Sequence, residues 1–137
     1  VSRPILLDTC AAIWISQDDS LAVEAGDALV EAENTPGAIV VSPITAWEIG
    51  ILVARGRITL SREPTGWFHA LIDAGVELAP MSPDILVASS FLPGTTLRDP
   101  ADRILAATAR AMNYRLMTRD RLLLNYAAAG HLAAIAC

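Results

Sequence analysis

The sequence predicts an α/β fold: a parallel sheet of four or five strands covered by helices on both faces. Three observations carry that expectation. Short continuous apolar runs, such as Ile5-Leu6-Leu7 and Ala38-Ile39-Val40-Val41, end abruptly at polar or proline-containing segments, as strands buried on both faces do. Between them lie longer stretches with capping residues and helical spacing, so strands and helices alternate and the sheet should be parallel. With 137 residues, 53% of them hydrophobic and 18% charged, the chain has apolar material enough for such a sheet, and one domain over 1–137 accounts for it.

Taken in order, Pro4 to Leu7 forms the first strand and stops at Asp8-Thr9. Leu21 to Ala32 sets Leu21, Val23, Ala25, Leu29 and Val30 among acids, a helical pattern ended by Asn34-Thr35-Pro36-Gly37. Ala38 to Val41 is the second strand. Ser42-Pro43 then supplies an N-cap followed by proline at the first helical position, and Ile44, Trp47, Ile51 and Leu52 continue at helical spacing. A helix over Pro64 to Ala74, a short strand over Val76 to Ala79 and a helix opened by Ser82-Pro83-Asp84 and running to Ser89 follow. Asp99-Pro100-Ala101-Asp102 opens the clearest helix, which continues through Ile104, Leu105, Ala107, Thr108, Ala111 and Met112 to Asn113. Arg115 to Thr118 reads as a strand and Asp120 to Ala128 as a helix. After Gly130, Leu132 to Ala136 supplies a last edge strand despite the modest strand preference of alanine. The chain carries no internal repeat, low-complexity tract or linker.

Composition excludes several classes. No run reaches the ~18 to 20 apolar residues that span a bilayer, and no secretory leader is apparent, so a cytoplasmic protein is expected. The two cysteines, Cys10 and Cys137, are too few and too far apart for a disulfide framework. A net charge of −5 argues against a nonspecific nucleic-acid coat. All ten basic residues are arginine, and Arg98, Arg103, Arg110, Arg115, Arg119 and Arg121 share a stretch with Asp99, Asp102 and Asp120. Guanidinium forks suit phosphate, although each arginine alone also reads as an ordinary solvated charge. There is no Gly-rich phosphate loop and no nucleophile elbow.

The acids are more informative. In open parallel α/β sheets, ligands gather outside the carboxyl ends of the strands. Asp8 ends the first strand, Asp120 lies two residues beyond the strand ending at Thr118, and Asp99 and Asp102 bracket the first turn of a crossover helix, so all four map to one edge. Glu48 shares a helical face with Ile44, Ile51 and Leu52 and is expected to point inward. It lies roughly 9 Å along the helix from Ser42, within reach of the Asp8 end. Each aspartate also has a structural reading: Asp99 and Asp120 as N-caps, Asp102 as a charge complementing the helix dipole, Asp8 as a turn residue. Glu48 has none, because an ionised carboxylate on an apolar face is costly unless compensated. Acidic oxygens converging without nearby His or Cys suit Mg²⁺ or Mn²⁺ rather than zinc, and His69 and His131 stand apart from them in sequence.

These landmarks, Ile5-Leu6-Leu7-Asp8-Thr9, Ser42-Pro43-Ile44-Thr45-Ala46-Trp47-Glu48-Ile49, the run from Arg98-Asp99-Pro100-Ala101-Asp102-Arg103 to Ala109, and Leu116-Met117-Thr118-Arg119-Asp120, give the chain its resemblance. In order and spacing it resembles PIN-domain ribonucleases, specifically the VapC-like toxins of bacterial toxin-antitoxin pairs. The resemblance implies a three-layer sandwich with the sheet described above. It implies that Asp8, Glu48 and Asp102 form an acidic metal site, with Asp120 the fourth and less constant acid. Asp99 would support the site, and Thr9 and Thr118 would place hydroxyls near it. One or two Mg²⁺ ions would activate water against an RNA phosphodiester, with Arg103 or Arg119 helping to hold the scissile strand. A cognate antitoxin, a homodimer and a higher toxin-antitoxin complex are the partners implied. Cys10 and Ala101 depart from the histidine and phenylalanine that many relatives carry there.

Four other readings compete. A phosphoacceptor receiver domain or a haloacid-dehalogenase-type phosphatase also gathers aspartates at a sheet edge, but each wants a lysine and this chain has none. A nuclease acting on DNA flaps is separated by preferential cleavage of DNA over RNA. A catalytically silent PIN-like module that binds protein or RNA is disfavoured by the full acid set and is separated from a nuclease by metal-dependent cleavage.

Overall fold

Five strands, β1 (Ile5–Leu7), β2 (Ile39–Val41), β3 (Glu77–Leu78), β4 (Arg115–Thr118) and β5 (Ala133–Ala136), pair in the order β3-β2-β1-β4-β5, every pairing parallel. The computed structural model describes residues 3–17, 20–94 and 97–137. Among these residues seven helices connect and cover the strands: α1 (Thr9–Ser16), α2 (Val23–Ala32), α3 (Pro43–Ala54), α4 (Pro64–Asp73), α5 (Pro83–Ala88), α6 (Pro100–Met112) and α7 (Arg121–Ala128). The expected fold class is therefore observed, with the sheet at five strands.

Strand alternation sorts the core into two layers. Ile5, Leu7, Val41, Met117 and Ile135 face one side, where they meet Ala11, Ala12 and Ile13 of α1, Ala25 and Ala28 of α2, Ile49 of α3 and Trp67, Phe68 and Leu71 of α4. Leu6, Val40 and Leu116 face the other, against Ile85 of α5, Leu105, Ala106 and Ala109 of α6, and Leu123 and Tyr126 of α7. Central strands buried on both faces explain why Ile5-Leu6-Leu7 shows no polar alternation.

Several boundaries differ from the sequence reading. Helix α1 was not anticipated: Thr9, Ala11, Ala12 and Ile13 are all buried, and a helix without a polar face leaves no amphipathic period to read. Strand β3 is only two residues long and both are exposed, so its expected span from Val76 to Ala79 shrinks to an edge fragment. The alanine-rich β5 forms because all four of its residues pair in register with β4, tertiary pairing overriding weak propensity. Asn113 closes α6 in the left-handed conformation, φ 57°, which asparagine tolerates better than most side chains. Among the described residues no helix is long and apolar enough to cross a membrane.

Candidate functional site

The chain leaves β1 toward β2 and β3 on one side, then crosses to β4 and β5 on the other. The point where direction reverses lies at the carboxyl ends of β1 and β4, the crevice in which open α/β sheets hold ligands. The acids stand there.

Asp8 follows β1 directly, its N–H still bonded to the Met117 carbonyl at 3.0 Å, and it is buried. It is the N-cap of α1, its Oδ1 accepting from the Ala11 N–H at 2.7 Å. Its Oδ2 accepts from the hydroxyl of Thr118, the last residue of β4, at 2.5 Å. That hydroxyl accepts in turn from the Asp120 N–H at 3.0 Å, and the Asp120 carboxylate caps α7 through the Leu123 N–H at 3.0 Å. Backbone and hydroxyl donors thus fix Asp8 from both oxygens, while Asp120 is exposed and anchored by its own cap.

Glu48 is held differently. The Thr9 hydroxyl donates to Glu48 Oε1, and because a hydroxyl has one proton, Thr9 accepts from Thr45 across 3.1 Å. The relay Thr45–Thr9–Glu48 ties α3 to the first turn of α1. Glu48 shares its face with Ile44, Ile51 and Leu52 as expected, and that face is a half-buried flank rather than the fully buried ridge. Thr45 and Ile49 form the fully buried ridge of α3, whereas Ile44, Glu48, Ile51 and Leu52 are half-buried along its flank. A buried threonine in the true core stripe masked it in the apolar pattern. On the opposite wall, Asp99 caps α6 by accepting from the Asp102 N–H at 3.1 Å, and Asp102 sits half-buried in the first turn.

The carboxylates lie near enough for their charges to act on one another. Burial pushes the Asp102 carboxyl up to about 7, and the charges of Asp99, Asp120, Glu48 and Asp8 push the same way. Burial also raises Asp8, against the hydrogen bonds from Thr118 and Ala11 and the charge of Arg119, with Asp120 adding to the rise. Glu48 is raised by burial, opposed by its Thr9 bond, and further raised by Asp99 and Asp8. Three helix N-termini, of α1, α6 and α7, meet at this edge and favour carboxylates. Desolvation and mutual repulsion outweigh them, so without a cation the site resists full ionisation. Cys10 presents part of its surface to solvent while its thiol lies against covered surroundings, so desolvation first, then Asp8, Glu48 and Asp102, lift the thiol to about 11.

The donors are all oxygen, the chemistry of a hard divalent cation. Among the described residues no three Asp, Glu, His or Cys side chains close into a ready-made cage. Mg²⁺ does not require one, since it keeps several of its waters and is commonly held through one or two carboxylates. The residues therefore fit a hydrated Mg²⁺ or Mn²⁺ better than zinc.

The arginines disperse on folding. Arg103 is half-buried and donates from Nε to the Ser89 carbonyl at 2.8 Å and from Nη1 to the Leu97 carbonyl at 2.6 Å, tying α6 to the end of α5. Arg110 donates to the His131 carbonyl, and Arg115 to that of Arg3, at the amino end of the strands. Arg119, between Thr118 and Asp120, stays at the acidic edge with its guanidinium over the Trp14 ring, 3.7 Å from the centroid. Sequence reasoning missed Thr45 and Trp14. Thr45 precedes Glu48 by three residues on one helical face and was detectable by that spacing; Trp14 lay in the unassigned α1 and had no such signal.

Comparison with known proteins agrees with this architecture. The PIN domain family profile matches residues 5–129. Ribonuclease VapC22 of Mycobacterium tuberculosis is 31% identical over 120 residues, covering 87% of this chain and 88% of that protein. Two solved structures share the fold at a TM-score of 0.69: the promoter-DNA-bound VapBC2 of Rickettsia felis, 14% identical over 96% of this chain and 97% of that one, and the DNA-bound VapBC of Salmonella typhimurium, 13% identical over 98% of each. With its parallel sheet, its acids at the switch point and a match over nearly its whole length, the chain belongs to the PIN-domain family.

Proposed function

We propose that this chain is a Mg²⁺-dependent endoribonuclease, Mn²⁺ substituting, and that it acts as the toxin of a toxin-antitoxin pair. The observation that carries the reading is the placement of four acids at the carboxyl edge, where Asp8 is held by Thr118 and the Ala11 N–H, Glu48 by Thr9, and Asp99-capped α6 presents Asp102 beside the Asp120 cap of α7. The 31% identical relative named as a ribonuclease supports the choice of RNA.

Asp8, Glu48, Asp102 and Asp120 would hold the cation, which when bound supplies an activated water and offsets charge developing on the phosphodiester. The chain's own part is placement. Thr118 and the Ala11 N–H orient both Asp8 oxygens, and the Thr45–Thr9 relay orients Glu48, so two ligands arrive with their rotamers set. Asp102 would give up its proton were the site loaded, and the α6 N-terminus would favour its charged form.

A cognate antitoxin is the proposed inhibitor, and a homodimer the proposed assembly. Exposed apolar side chains, Phe91 at 80%, Val23 at 79%, Val87 at 61% and Trp47 at 56% relative exposure, provide surface for such contacts. A cytoplasmic location is part of the same proposal.

The test is incubation of purified, antitoxin-free protein with total cellular RNA in Mg²⁺, in Mn²⁺ and in chelator, alongside Asp8→Asn. Discrete cuts that need metal and vanish in the variant are expected. Cutting that survives chelator or the substitution would overturn the proposal, and absence of any cutting by folded protein would favour a silent binding module.

A further inference from the structure

A cluster of carboxylates is a poor landing place for a polyanion. A cation can offset the scissile phosphate, but the neighbouring phosphates of an RNA strand still approach Asp99 and Asp120, both exposed. Something basic must receive them. Arg98 and Arg121 are exposed beside Asp99 and Asp120, but no contact among the described residues fixes the plane of either guanidinium. Arg103 spends two donors on backbone carbonyls inside the α5–α6 junction. Arg110 and Arg115 are occupied at the opposite end of the strands.

Arg119 differs in position and in how it is held. It lies in the turn between Thr118, which orients Asp8, and Asp120, and its charge acts on the Asp8 carboxyl. Its guanidinium lies over the half-buried Trp14 of α1, and Nη2 also reaches the Ser20 carbonyl at 3.4 Å. A guanidinium carries its N–H bonds in its own plane. Stacking on an indole face therefore fixes that plane without consuming the donors, which stay directed sideways from an exposed residue. The result is a fork oriented before any ligand arrives, the form of arginine suited to bidentate phosphate contact.

We propose that Arg119 and Trp14 form a phosphate clamp: Arg119 binds an RNA phosphate flanking the scissile one, and Trp14 is the positioning residue that holds the fork. The inference rests on the ribonuclease reading and deepens it by fixing the side on which the strand runs, along α1 and the β4–α7 turn rather than the α5–α6 junction. A flanking phosphate is held alike in ground and transition states, so losing the clamp changes KM and leaves kcat nearly unaltered.

The experiment measures kcat and KM for a short single-stranded RNA containing a mapped cut site, and RNA affinity against salt, in wild type, Arg119→Ala, Arg119→Lys, Trp14→Leu and Trp14→Phe. Arg119→Ala is expected to raise KM about tenfold with kcat within about twofold, the scale of one charge-assisted contact. Its slope of log affinity against log salt should flatten by about 0.7, the single-strand value for one phosphate. Arg119→Lys should keep the slope and lose part of the affinity. Trp14→Leu should raise KM, and Trp14→Phe, which keeps an aromatic face, should restore it. Arg119→Ala with unchanged KM and salt slope but a lower melting temperature would make the stack a structural staple and overturn the clamp while leaving the nuclease standing. Wild type that neither binds nor cuts RNA would overturn both.

Discussion

Replacing Asp102 with asparagine should stabilise the cation-free protein at pH 8 while removing a ligand from the site. The ordinary aspartate value is 3.8, and in the folded chain Asp102 is pushed up to about 7, by burial first and then by Asp99, Asp120, Glu48 and Asp8. Below about pH 4 both folded and unfolded chains carry the proton and nothing is lost. As pH rises the unfolded chain ionises while the folded chain retains its proton, so stability falls until the folded group also ionises near 7, and the full cost persists above. At about 1.4 kcal/mol per pH unit the shift corresponds to an upper bound of roughly 4 kcal/mol. Asp102 is only half-buried, and solvent screening reduces this to about 1 to 2 kcal/mol. Asparagine keeps the shape and removes the charge. Urea melts in chelator at pH 3.5, 6 and 8 should therefore show the variant nearly level with wild type at the lowest pH and ahead by about 1 to 2 kcal/mol at the highest. Adding Mg²⁺ should then stabilise wild type more than the variant. A variant less stable than wild type at pH 8, or a difference independent of pH, would refute the reasoning that these acids repel one another in a shared space.

Other substitutions separate orientation from support. Thr118→Val removes the donor to Asp8 Oδ2 and the acceptor for the Asp120 N–H, and should cost about 1 to 3 kcal/mol in denaturation and roughly 10- to 100-fold in Mn²⁺ affinity by calorimetry; unchanged affinity would leave Thr118 a packing residue. Arg103→Ala breaks two bonds to backbone carbonyls and should lower stability by about 1 to 3 kcal/mol without altering KM for RNA in steady-state cleavage, whereas a raised KM would place the strand on the α5–α6 side. Ile49→Ala opens a hole in the ridge of α3 that is fully buried and should cost about 2 to 5 kcal/mol by chemical denaturation; a small loss would mean that α3, and with it Glu48, is loosely seated.

Much of this site was legible in the sequence because strand ends and helix starts are locally marked. Asp8 after Ile5-Leu6-Leu7, Asp120 after Thr118, and Asp99-Pro100 before a strongly patterned helix all announce the carboxyl edge, and the fold places them there. The capping readings of Asp99 and Asp120 were true as well, and Asp8, read as a turn residue, also caps a helix, so a structural role does not exclude the proposed one. Contacts between elements distant in sequence were hidden. Thr9 meets Thr45 and Glu48 only because α1 and α3 pack together, and α1 itself carried no period, being apolar on every side near the sheet. The arginine-rich stretch misled for the same reason. Between Arg98 and Arg121 the chain runs down α6 and back along β4, so Arg98, Arg103, Arg119 and Arg121 lie toward the carboxyl edge while Arg110 and Arg115 lie at the amino end.

The central claim, that Asp8, Glu48, Asp102 and Asp120 jointly hold a divalent cation, is tested most directly by calorimetric titration of Mn²⁺ into the folded protein at pH 7.5, in buffers of different ionisation enthalpy. Wild type should show saturable binding, and a repeat at pH 6.5, below the value of about 7 to which Asp102 is pushed, should release protons as that carboxyl ionises, so the proton-release comparisons are made there. Asp8→Asn and Glu48→Gln should bind far more weakly, and Asp102→Asn should also release fewer protons. Equal Mn²⁺ binding by wild type and all three variants, or binding without proton release, would contradict the account.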